Sequence, residues 1–125
     1  MRIIRRPEFL RLPANTVFSE YEHCYFGPLM IKGDTLNDND WSEQQIADAI
    51  KAHDSGEWTD LLFAAADQGK HLTFDFYYEG RDGSFDPDSK MYAVWDRSDV
   101  EQLITRLGEC LSASATAQPL KESKP

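Results

Sequence analysis

The stretch from Leu72 to Leu111 constrains this chain most, because it holds a strand pattern and a helix pattern that need one another. Leu72, Phe74, Phe76 and Tyr78 alternate with Thr73, Asp75, Tyr77 and Glu79, the period of two that marks a half-buried strand. Met91 to Asp96 is a second short run of aromatic and apolar residues, reached through an acidic connection from Glu79 to Lys90. Ser98-Asp99-Val100-Glu101 reads as a capping box that opens a helix over 99–111. Val100, Leu103, Ile104, Leu107 and Leu111 then fall on one face of that helix. An apolar stripe must lie on something, and the large side chains of the Leu72 strand are the natural partner. The expectation is a C-terminal helix packed on a sheet, with its stripe in the core.

At 125 residues the chain reads as one α+β domain over 1–111, followed by a Ser-, Ala-, Pro- and Lys-rich tail over 112–125. The net charge is −9. It is unevenly spread: residues 1–15 carry +3, whereas residues 34–60 carry −7. Such a chain repels nucleic-acid phosphates, so direct binding to DNA or RNA is not expected. An acidic surface suits a basic protein partner or a cation. No apolar run reaches the ~18 residues a membrane span needs. The basic N-terminus lacks the apolar segment of a signal peptide, so residence in the cytoplasm is expected. Cys24 and Cys110 share no metal-type spacing and read as two reduced thiols, the second buried beside the helix stripe.

Along the chain, Ile3 and Ile4 form a small apolar anchor, and Pro7 suits the first position of a helical turn that Pro13 ends. Thr16 to His23 reads as a strand with two mixed faces. Gly27-Pro28 marks a turn or bulge, and Leu29 to Lys32 a second strand able to pair with the first. Asp34 to Asp40 is a polar loop. Ser42-Glu43-Gln44-Gln45, with Trp41 and Ile46 at staple positions, predicts a helix over 43–52. Asp54-Ser55-Gly56-Glu57 predicts another over 57–68, with Trp58, Leu61, Leu62 and Ala65 on one face and Gly69 closing it. The whole adds to an antiparallel sheet of about four strands with about three helices.

The opening Glu8-Phe9-Leu10-Arg11-Leu12-Pro13, with Thr16-Val17-Phe18, Phe26-Gly27 and Ile31-Lys32-Gly33, resembles short proteins encoded by phages and prophages. The resemblance covers the first third of the chain and touches Arg81-Asp82-Gly83. It transfers no catalytic residue. It implies a small accessory protein acting inside a bacterial host cell.

Chemistry-bearing residues are sparse. Asp82, Ser84, Asp86 and Asp88 place oxygens at every second position, as calcium loops do, so Asp82, Asp86 and Asp88 are candidate metal ligands. Asp-Gly and Asp-Pro are equally ordinary turn chemistry. Asp34, Asp38 and Asp40 form a second acidic loop. His23, His53 and His71 form no paired zinc motif, and no nucleophile elbow, phosphate loop or dinucleotide fingerprint occurs. No cofactor is expected, and nothing raises an enzyme above a binding protein. Phe63 lies off its helix stripe, and Tyr77 and Tyr92 lie on the strand face opposite Phe74 and Phe76. With Asp34, Asp38 and Asp40 they make an aromatic and acidic set suited to a protein interface. The leading expectation is a small acidic accessory protein, a phage-type inhibitor or modulator that engages a basic, normally nucleic-acid-binding, surface. The alternative is a cation- or small-molecule-binding module, or an enzyme, built on the 82–88 loop.

Overall fold

The computed structural model describes residues 1–77, 80–82 and 86–116, and leaves the side chains of residues 81, 82 and 114–116 undescribed. The fold is α+β. Its strands are β1 (Arg2–Arg5), β2 (Thr16–Glu22), β3 (Tyr25–Phe26), β4 (Met30–Leu36), β5 (Asp40–Gln45), β6 (Gly80–Asp82) and β7 (Met91–Val94). Its helices are α1 (Arg6–Phe9), α2 (Ser55–Gln68) and α3 (Arg97–Thr116). All described pairings are antiparallel, in the order β1-β7-β2-β4-β5-β6, with β3 alongside β2. The chain divides into two compact units: Met1–Ala49 with Phe76–Val100, and Ile50–Asp75 with the chain from Glu101 onward.

The first unit holds the aromatic core. Pro7 starts α1 at a position that needs no N–H, and the single turn delivers Phe9 into the sheet. The Phe9 ring lies 4.7 Å from Phe18, 4.9 Å from Trp41 and 4.3 Å from Tyr92, centroid to centroid. Ile4, Met30 and Val94 complete the cluster. Two cations close it. The buried Lys32 ammonium donates to Leu12 O at 2.7 Å, Gly33 O at 3.1 Å and Thr35 Oγ1 at 2.8 Å. Thr35 in turn donates to Leu10 O at 2.6 Å, so two β4 side chains satisfy carbonyls that α1 leaves open at its C-terminal end. Burial pushes the Lys32 pKa down, and the charge of Asp34 offsets part of that. Arg6, also buried, donates to Asn39 O and Oδ1, pairs with Asp88 at 3.6 Å and lies over Trp41.

The chain from 34 to 52 departs from expectation. The predicted helix over 43–52 is absent; its first residues are β5. Asn37 and Asp38 both adopt positive φ, 54° and 55°, and Asn39 N–H reaches Leu36 O, so the acidic loop is a tight hairpin turn that folds β5 back onto β4. Asn and Asp tolerate that conformation better than other non-glycine residues. The hairpin seats Trp41 fully in the core. Burying an indole contributes about 4–6 kcal/mol at 25 cal/mol/Å², well above the ~1 kcal/mol a helix cap supplies.

The strand expected over 72–79 is absent among the described residues, and Tyr78 and Glu79 lie outside them. Phe74 makes a single bridge to Ile50, and Lys51 N–H meets Thr73 O at 2.7 Å. Phe74 and Phe76 are exposed. Both edges of β7 are taken, by β1 and β2, which leaves this stretch no edge of β7 to pair with.

In the second unit, Asp54 caps α2 by accepting Glu57 N–H at 2.8 Å, and Glu57 accepts His53 N–H. Gly69 ends the helix at φ 68°, a left-handed turn that glycine adopts without penalty. No residue of α2 is fully buried. Helix α3 starts before its predicted capping box and is helical to Thr116, five positions beyond the expected Leu111. At its start Asp99 accepts Asp96 N–H at 2.8 Å and pairs with the Met1 amino group at 2.7 Å, which holds its carboxyl below the usual range. Val100 and Leu103 are half-buried, but Ile104, Leu107 and Leu111 are 64%, 56% and 73% exposed, and Cys110 is exposed too. The expectation that this stripe lies in the core is corrected. The aromatic face is filled by Phe9 of α1 instead.

Candidate functional site

A cleft of about 810 Å³ opens in the first unit beside the β2–β3 hairpin. The hairpin is turned by His23 and Cys24, both at positive φ, 38° and 69°, between the paired residues Glu22 and Tyr25. Two consecutive non-glycine residues in that region carry some strain. The Tyr21 hydroxyl braces the turn by accepting Cys24 N–H at 2.9 Å. A bulge follows at Gly27-Pro28: the four steps from Phe26 to Met30 face the three from Phe18 to Tyr21. Tyr21, Glu22 and Tyr25 of the hairpin line the cleft, Glu22 and Tyr25 from one face and Tyr21, whose ring meets Phe26, from the other. The turn from Pro87 to Lys90, closed by Lys90 N–H to Pro87 O at 3.0 Å, lines the cleft as well, with Asp86.

At its inner end the cleft holds a lysine. Lys90 Nζ lies 3.1 Å from Glu20 and 3.4 Å from Asp86, and 5.8 Å from the centroid of the Tyr92 ring. Burial opposes its charge, but the bonds and fields of Glu20 and Asp86 outweigh this and raise its pKa. The Tyr92 hydroxyl donates to Asp86 at 3.2 Å, and burial with that carboxylate pushes the phenol far above the usual range. Lys90 therefore stays charged and Tyr92 protonated at neutral pH.

The residues singled out in the sequence fall elsewhere or play other parts. Tyr92 is not an exposed interface residue but a fully buried core ring. Asp40 is buried too, with its carboxylate accepting Trp41 N–H at 2.8 Å. Phe63 and Tyr77 are exposed, Tyr77 to 91%, and Asp34 and Asp38 face solvent. Of the proposed metal ligands, the side chain of Asp82 lies outside the description, as do Gly83, Ser84 and Phe85. Asp86 meets Lys90 and Tyr92, and Asp88 meets Arg6, so each faces a different partner. Among the described residues no group of three or more His, Cys, Asp or Glu could hold a metal ion. His53 and His71 line a second cavity of about 420 Å³ in the second unit, with Glu57 and Asp75. Glu20, Tyr21, Glu22, Tyr25 and Lys90 were not singled out in the sequence. The one signal was the mixed polarity of both faces of Thr16–His23, where an ordinary sheet strand would show one apolar face.

No family model, curated protein or solved structure gave a significant match to this chain. No described helix is long and apolar enough to cross a membrane.

Proposed function

We propose that this protein acts by binding another protein through an acidic surface that carries exposed apolar side chains, as a small phage-type accessory protein would against a basic, nucleic-acid-binding surface. The observation that carries the reading is the outward face of α3, where Ile104, Leu107 and Leu111 lie on one stripe and are exposed. A row of large aliphatic residues left in water marks an interaction surface. The net charge of −9 sets the sign of the partner, because complementary charge speeds encounter and rejects acidic competitors. The resemblance of the opening third to phage and prophage proteins supplies the cellular setting.

The test is affinity capture from bacterial lysate at low and high salt, repeated with Leu107→Asp. The reading expects a partner that is retained at low salt, released as salt screens the charges, and lost by the variant. A partner held equally well by Leu107→Asp, or insensitive to salt, would overturn it.

A further inference from the structure

Taking the basic protein partner as its starting point, we infer that the cleft beside the β2–β3 hairpin holds one lysine or arginine side chain of that partner, its charge against Glu22 and its stem against Tyr25. The inner end of the cleft already shows the chemistry. There the chain's own Lys90 ammonium sits between two carboxylates, Glu20 and Asp86, with an aromatic ring on its flank. The outer end offers the same residue types, and no described cation pairs with its carboxylate. Glu22 and Tyr25 face each other across the hairpin. The Glu22 side chain is exposed, and its carboxylate makes no hydrogen bond or ion pair with a described residue. Tyr25 is 68% exposed, and its ring packs on no described aromatic side chain.

The charges favour a cation over an anion. Glu20 and Asp86 pair with Lys90, and the lining as a whole sets the carboxylates of Glu20, Glu22 and Asp86 against the cations of Lys90 and Arg5, so the described lining carries a net negative charge. An anion entering here would meet the Glu22 carboxylate beside the Tyr25 ring, and both disfavour it. A guanidinium or ammonium meets attraction from both. The cavity volume lies within the range of ordinary ligand sites and admits a long side chain with its flanking backbone.

The test is an NMR titration of the full chain with N-acetyl-arginine amide, N-acetyl-lysine amide and the neutral N-acetyl-citrulline amide. Saturable shifts are expected at Tyr21, Glu22, Tyr25 and Lys90 with the two cationic amides and not with citrulline. Glu22→Gln should weaken the cationic amides about 2- to 5-fold, the range of a single exposed charge or ring contact. Tyr25→Ala should do the same, and neither change should alter the melting temperature. Citrulline binding as well as arginine, no saturable shift at the cleft, or a Glu22→Gln variant that binds unchanged would each overturn the inference. Polylysine binding at low salt, measured alongside, separates the two readings. Polylysine bound while the amides leave the cleft untouched sinks the cleft alone. Amides seated in the cleft with no salt-sensitive partner in lysate sinks the broader reading alone.

Discussion

Replacing Lys32 by Met tests whether a buried ammonium without a carboxylate partner holds α1 to β4. The change keeps the length and bulk of the side chain and removes three hydrogen bonds, to Leu12 O, Gly33 O and Thr35 Oγ1. Thr35 keeps its own bond to Leu10 O, so two backbone carbonyls lose their side-chain donor. Each buried acceptor left unmatched costs about 1–3 kcal/mol. The ammonium's own desolvation works in the other direction, because methionine gives up no hydration on burial. The net expectation is a loss of about 2 kcal/mol at neutral pH. The pH dependence carries a sign. Burial lowers the Lys32 pKa, so between its folded value and the unfolded value near 10.4 the unfolded chain binds more protons, and stability from this group rises with pH. The gap between parent and variant should therefore widen as pH climbs toward that value. Urea unfolding followed by tryptophan fluorescence at pH 7 and pH 9.5, as about two-point bounds on the window, measures both quantities. A variant as stable as the parent, or a gap that narrows with pH, would refute the reasoning.

Three further outcomes follow from the same structure. Phe9→Ala should cost about 3–5 kcal/mol in chemical denaturation, whereas Leu107→Ala, on an exposed face, should cost under ~1 kcal/mol; reversed magnitudes would relocate the core. Tyr92→Phe loses the bond to Asp86, about 1 kcal/mol at neutral pH. Its phenol is raised, so the stability it gives is present below about pH 10 and lost above, and the parent should weaken more steeply than the variant there; parallel unfolding curves would contradict this. Asp54→Ala should lower stability by about 0.5–2 kcal/mol, with Asp54→Asn recovering most of it, because the cap on Glu57 N–H needs only an acceptor oxygen.

Much of the fold was legible where local chemistry and final structure agree. Pro7 placed α1, Gly27-Pro28 marked the bulge, and Asp54 with Gly69 bracketed α2 to within a few residues. The pairing of β2 with β4 was legible for the same reason. The errors came where partners distant in sequence decide. Ser42-Glu43-Gln44-Gln45 carries a sound helix start, yet Trp41 beside it has more to gain in the core. Leu72 to Tyr78 alternates as a strand should, but alternation says nothing about which sheet edge is open. The cleft was hidden for a related reason. Its two sides come from residues 20–25 and 86–91, and only the pairing of β2 with β7 brings them together.

That same pairing bears on how the protein is made. β7 stands between β1 and β2, although residues 91–94 leave the ribosome long after both. Until they emerge, β1 lacks the strand it pairs with and Phe9 lacks the ring stacked on it. Phe18 and Trp41 meanwhile wait for the Tyr92 ring, so the nascent chain exposes its aromatic residues until 91–94 emerge. Pairing strands so distant in sequence is slow, and rings left exposed meanwhile are the kind of surface that chaperones cover.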